Sequence, residues 1–175
     1  MTSPLNWTHA ISAIGDSAIA ENRRATAAER TALAAALDVI SCDDLTARYD
    51  IRPLGRGRFR LTAEIEAEIT QACVVTLDPV AARITERLSA EFRPEEDAGL
   101  EADGGERGVL AGDDIEPIHD GLIDAGRLVF ELLSAAIDPY PRAPDAEFQW
   151  QDPMAGDDAE SRGPFAALAR LKRPQ

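Results

Sequence analysis

The chain has 175 residues, a formal net charge of −14, 45% apolar residues, 5% aromatic ones and two cysteines. That length supports one domain with a core of Leu, Ile, Val and Ala, while two cysteines exclude a disulfide framework. The charge repels phosphate backbones on average, and no apolar run reaches the length of a membrane span.

Residues 1–25 are weakly patterned and predict a strand or an irregular arm. Met1–Asn6 has no basic stretch leading into an apolar one, so no secretory leader is expected and a reducing cytoplasm is the expected compartment. Thr26-Ala27-Ala28-Glu29 is a capping box, and Leu33, Ala36, Leu37 and Ile40 follow at helical spacing, which predicts a helix over about 27–38. From Leu45 the period becomes two. Leu45, Ala47, Tyr49 and Ile51 alternate with polar residues as in a half-buried strand, and Pro53 with Gly55-Arg56-Gly57 forms a turn.

The next run carries the clearest pattern. Phe59, Leu61, Ala63, Ile65, Ala67 and Ile69 take the odd positions, and Arg58, Arg60, Thr62, Glu64, Glu66, Glu68 and Thr70 the even ones. Only a pleated strand segregates them. The odd series resumes at Cys73, Val75 and Leu77, then switches to even after Asp78-Pro79: Val80, Ala82, Ile84, Leu88, Ala90 and Phe92. An odd-to-even switch is what an antiparallel hairpin with an even-numbered loop requires. Arms near 58–77 and 80–92 follow. With Leu77 opposite Val80, Cys73 meets Ile84, Ile69 meets Leu88, Ile65 meets Phe92, and Gln71 meets Glu86. A four-residue turn starting at Asp78 keeps the same parity. An arm of that length has to bend or bulge, so a coiled, partly barrel-like sheet is expected, with an irregularity near Gln71-Ala72.

Residues 94–114 are rich in Pro, Gly and acids and read as a mobile acidic loop. Ile115–Ile118 fits a short strand. Asp124 is placed to cap a helix over about 125–137 with Leu128, Val129, Leu132, Leu133 and Ala136 inward, ended by Pro139-Tyr140-Pro141. Residues 142–175 read as a loosely ordered tail, with a short helix after Pro164 carrying Phe165, Leu168 and Leu171. The expected class is α+β: one domain over 1–175, an antiparallel bent sheet built round the long hairpin, and a few packed helices.

Signs of chemistry are sparse. There is no phosphate-binding loop and no nucleophile elbow, and Gly55-Arg56-Gly57 lacks the third glycine of a dinucleotide fingerprint. The best enzyme-like group is Asp113, Asp114, Glu116, His119, Asp120 and Asp124, which has the residue types to hold a divalent ion or share acid–base work; an acidic loop running into a helix capped by Asp124 is the favoured explanation. Cys73, on the apolar face, reads as a small buried hydrophobe. Arg52, Arg56, Arg58 and Arg60 form a local basic stretch in an acidic chain, and Arg56, Arg58 and Arg60 are candidate partner-binding residues.

At Cys73-Val74-Val75-Thr76-Leu77-Asp78-Pro79-Val80 the sequence resembles the YceD-like large ribosomal RNA subunit accumulation proteins, whose pattern there is Cys-x-Arg-Cys-Leu-x-Pro-Val. Cys73, Leu77, Pro79 and Val80 match. Ile123-Asp124 through Ile137-Asp138-Pro139, and Pro164-Phe165-Ala166-Ala167-Leu168-Ala169-Arg170-Leu171-Lys172, are similar to later family segments, and the resemblance spans about 26–172. Val75 stands where the family often has Arg, and Thr76 where it often has a second Cys, so no cysteine-pair metal or redox role carries over. The resemblance implies a non-enzymatic, cytoplasmic factor in large-subunit ribosomal RNA accumulation, without metal or cofactor. Cys73, Leu77, Pro79, Val80 and Asp124 are then family-motif or docking residues. The implied partner is ribosomal RNA or a basic ribosomal protein, bound by a monomer. The alternatives are a generic module whose acidic loop takes a basic partner, and a small metal-dependent enzyme using the 113–124 cluster.

Overall fold

The computed structural model describes residues 3–15, 17–95 and 114–148. In chain order they form β1 (Thr8–Ala10), the single turn α1 (Ile11–Ile14), β2 (Ile19–Arg24), α2 (Ala27–Leu37), β3 (Ser41–Gly55), β4 (Arg58–Ala72), β5 (Pro79–Pro94), β6 (Asp114–Ile118), β7 (Leu122–Asp124) and α3 (Ala125–Ala136). The main sheet has five strands in the order β2-β3-β4-β5-β6, and β1 pairs with β7 in a separate two-stranded sheet. The expected α+β class holds. The sheet is mixed, because β6 runs parallel to β5 while the other pairs are antiparallel.

No pairing joins the outer strands β2 and β6, so the described residues form no closed barrel. The β4–β5 ladder is regular to its end at Ala72, and the irregularities lie in β3, at Cys42/Asp44 and Pro53/Gly55, not at Gln71-Ala72. The expected acidic loop, the 149–163 part of the tail and the terminal helix fall outside the described residues, apart from the ends of that loop.

The odd positions of β4 from Phe59 to Ile69 are all buried. They face Leu45, Ala47, Tyr49 and Ile51 of β3, Ile84, Ala90 and Phe92 of β5, and the helices above through Leu33, Leu128, Val129 and Leu133. Each large aliphatic side chain buried there contributes about 1.5–3 kcal/mol. Helix α2 starts as the sequence predicts. The Glu29 N–H donates to the Thr26 hydroxyl, and the Glu29 carboxylate accepts from the Thr26 N–H. Trp7 Nε1 donates to that carboxylate at 2.9 Å, which ties the N-terminal arm to the helix.

That arm seats Leu5 and Trp7 against the start of α3. A Cβ on Gly126 would lie 2.5 Å from the Leu5 carbonyl oxygen. Helix propensity alone favours Ala at a helical position by about 1 kcal/mol. The close approach reverses the sign: Gly126→Ala is expected to destabilise by about 1–3 kcal/mol. Urea denaturation of the two proteins checks this.

His9 on β1 meets the Tyr49 hydroxyl at 2.8 Å and joins the small sheet to the large one. Burial pushes the imidazole below its ordinary value, against the pull of Glu21 and with the push of Arg23. The unfolded chain therefore takes up this proton first. Stability linked to His9 is complete above about pH 6.5, the unfolded value, and declines as pH falls below it. Between pH 7.5 and 5.5 His9→Gln should lose less stability than the parent, measured by denaturation at both values.

Candidate functional site

The parity switch holds, but the register differs from the sequence expectation. Gln71 pairs with Val80, Ala67 with Ile84, Ala63 with Leu88 and Phe59 with Phe92, while Glu86 lies opposite Ile65. The loop spans Cys73–Asp78 instead of a tight turn, and this displaces every partner by six positions without changing its face. Gln71 is polar because its Nε2 donates to the Asp138 carbonyl at 2.9 Å, where the chain leaving α3 crosses the end of β4.

Cys73 organises this corner. Its N–H donates to the Asp78 carbonyl at 2.8 Å, and its carbonyl accepts from Leu77 N–H at 2.9 Å. Its sulfur accepts N–H groups from Val75, Thr76 and Ala143 at 3.4, 3.5 and 3.4 Å. Val74 N–H donates to the Pro141 carbonyl at 2.9 Å. The corner and the segment after α3 are thus locked together around one sulfur. The side chain is fully shielded, as expected for a buried cysteine, but it is not a plain hydrophobe. The Thr76 hydroxyl, then the Ala143, Thr76 and Val75 amides, pull the thiol down to about 6 against the opposing effect of burial. Thr76 supplies the largest of these effects. In a Cys42→Ser background, thiolate absorbance should titrate near pH 6, and Thr76→Val should move the midpoint up toward the ordinary thiol value. Cys42 itself is buried and its thiol is pushed up by burial.

Leu77 adopts φ 64° and is 76% exposed. A left-handed conformation costs a leucine roughly 1–2 kcal/mol, and its exposure returns nothing to the fold. Val74, in the same loop, and Tyr140 are also exposed, on the two segments joined by the Val74–Pro141 hydrogen bond. Pro79 opens β5 opposite Ala72 and is exposed, whereas Val80 is half-buried. Asp124 lies elsewhere, with its carboxylate capping α3 through the Arg127 N–H at 2.9 Å.

The arginines gather at the opposite end of the sheet. Arg56 and Gly57 form the two-residue β3–β4 turn, both at positive φ. Arg58, Arg60 and Arg93 converge on Glu91, at 3.5, 3.9 and 2.8 Å, and Arg52 pairs with Asp50 at 2.9 Å. Glu91 as an ion-pair hub was not legible in sequence, since its position on β5 reads as solvent-facing. On the same solvent face Arg87 pairs with Glu64 and Arg83 with Glu66.

The 113–124 acids are dispersed. Glu116 pairs with Arg127, which also binds Glu131; His119 pairs with Glu95; and Asp124 is the helix cap. Asp120-Gly121, both at positive φ, form the turn between β6 and β7, a role that the Asp-Gly dipeptide signals. Asp113 lies outside the described residues. Among the described residues no three His, Cys, Asp or Glu side chains are grouped to hold a metal.

The family described as large ribosomal RNA subunit accumulation protein YceD matches residues 61–172, well over half of the chain. The chain belongs to that family. The match runs from β4 through the corner to the C-terminal segment, so it includes Cys73, Leu77, Pro79 and Val80. The family is named for accumulation of the large ribosomal RNA subunit, and not for a reaction. No curated protein and no solved structure matches the chain significantly. Among the described residues no helix is long and apolar enough to cross a membrane.

Proposed function

We propose that this YceD-family chain serves large-subunit ribosomal RNA accumulation by binding, without catalysis, metal or cofactor, and that its direct partner is a basic ribosomal protein. The observation that carries the reading is the pairing on the solvent face of the sheet. Glu64, Glu66 and Glu68 line the central strand, and the Arg83 and Arg87 side chains that flank them already form ion pairs with Glu66 and Glu64. Arg24 and Arg52 pair likewise with Asp44 and Asp50. Such exposed pairs add about 0–1 kcal/mol each, but they occupy guanidiniums that an RNA backbone would need. With a net charge of −14, the remaining field attracts a basic protein and steers its approach. In this reading the protein works as a cytoplasmic monomer.

A second reading, direct contact with ribosomal RNA through Arg56, Arg58 and Arg60, is favoured by one observation. Arg56 holds a left-handed turn position at φ 56°, where glycine fits better, so the fold does not call for an arginine there. Crosslinking the tagged full-length protein in cells, followed by gradient fractionation, separates the two. Expected is a covalent link to a large-subunit ribosomal protein in pre-ribosomal fractions, with no direct RNA crosslink. An RNA crosslink that disappears in Arg56→Glu/Arg60→Glu, with no ribosomal protein recovered, would overturn the protein-partner reading.

A further inference from the structure

The β4–β5 corner combines three observations that the fold itself does not use. Leu77 is both exposed and held in a backbone conformation that disfavours leucine. Asparagine or glycine would satisfy the same loop with less strain and no apolar exposure. Tyr140 is held between two prolines and by its own N–H donating to the Asp138 carboxylate at 2.9 Å, yet its side chain is 73% exposed. Val74 stands beside it, fixed by its hydrogen bond to Pro141. These side chains are presented on a backbone already ordered by the Cys73 sulfur, so little entropy remains to be lost when they are covered.

The charges around the patch indicate its occupant. Asp78 lies in the corner loop, and Asp138 lies on the segment that crosses it and accepts the Tyr140 N–H; Asp145 and Glu147 follow further along that segment, whose one basic residue over 137–148 is Arg142, between Pro141 and Ala143. Asp38 and Asp43 flank the start of β3 at the same end, where Ile40 is also exposed and its N–H donates to the Thr70 carbonyl. An apolar patch in an acidic rim complements a segment with aliphatic anchors flanked by lysine or arginine.

We infer that the Val74–Leu77–Tyr140 corner is the docking site for an aliphatic–basic segment of a protein partner. The inference rests on the protein-partner reading above and assigns it a site. Leu77 supplies the central anchor and Tyr140 a rigid aromatic wall, while the acidic rim sets the approach. The corner works as a preformed knob, and the Cys73 hydrogen bonds keep it in shape.

The probes are two synthetic peptides of equal length and charge, one of alternating Lys and Leu and one of alternating Lys and Ser, titrated into the labelled full-length protein by fluorescence anisotropy. The Lys–Leu peptide is expected to bind about tenfold or more tightly than the Lys–Ser peptide, as for one well-placed apolar anchor. Leu77→Asn should erase that difference while leaving the thermal midpoint unchanged or raised, so loss of binding will not reflect unfolding. Leu54→Asn, at an exposed leucine near the opposite end of the sheet, should retain it. Equal affinity for both peptides, or an unchanged ratio in Leu77→Asn, overturns the proposal. The chain's own Phe165, Leu168, Arg170, Leu171 and Lys172 have the same aliphatic–basic character. If Leu168→Ser/Leu171→Ser tightens Lys–Leu binding about tenfold, the corner belongs to that segment and the partner proposal falls. In cells, a ribosomal-protein crosslink that persists in Leu77→Asn removes the corner and leaves the protein-partner reading standing. Loss of that crosslink in the parent protein removes the reading itself.

Discussion

The apolar face of β4 is the constraint from which the other elements take their positions. Its odd residues are buried in one uninterrupted series from Phe59 to Ile69, and a strand that is wet on one face admits no register slip of a single residue. β3 and β5 are held to that series on either side, and β2 and β6 extend the sheet from them. Helices α2 and α3 contribute Leu33, Leu128, Val129 and Leu133 because these are the side chains that can cover it. The solvent face follows in turn. Once the even positions are fixed outward, Glu64 falls between Arg48 and Arg87, and the ion pairs form in a register that burial has already chosen.

The same constraint explains the corner. β4 stops at Ala72 because the chain leaving α3 crosses its end, and Gln71 is the residue that binds that crossing segment. From there a tight turn is impossible without placing Leu77 in the ladder. The chain instead makes a six-residue loop whose amides have no strand partner, and a buried group of that kind needs an acceptor. The sulfur of Cys73 is that acceptor. The cysteine therefore has a structural reason to be there that does not depend on a second thiol, and Thr76 reinforces it with its hydroxyl.

What the sequence shows depends on whether the cause is local. The α2 capping box, the Asp124 cap, the Ile115–Ile118 strand and the alternation of β4 and β5 are written in neighbouring residues, and the structure has each of them. The hairpin parity is equally local. Its register is not, because parity is the same for a loop of two, four or six residues, and the coincidence of Gln71 with Glu86 favoured the shortest. The deciding contacts, Gln71 to Asp138 and Cys73 to Ala143, span 67 and 70 residues in sequence. Glu91 is hidden for the same reason, since its position in the alternation is polar and only the folded sheet brings Arg58, Arg60 and Arg93 over it. No local signal marks the longer loop, since Val75 and Leu77 continue the odd apolar series and Asp78-Pro79 is the strongest turn signal there.

The two ends of the sheet are chemically unlike. At the β3–β4 turn, Arg58, Arg60 and Arg93 share the one carboxylate of Glu91, and Arg52 pairs with Asp50. At the β4–β5 corner the side chains that remain unspent are apolar, and the charges near them are mostly acidic. The proposed basic protein partner suits the second of these ends, because an exposed apolar group beside acids is complemented by an aliphatic anchor and positive charge, and RNA supplies neither. Ribosomal RNA is surrounded during assembly by proteins that do carry lysine and arginine beside aliphatic side chains. A factor that promotes RNA accumulation through such a protein needs no contact with RNA, which reconciles a chain of net charge −14 with a family named for an RNA.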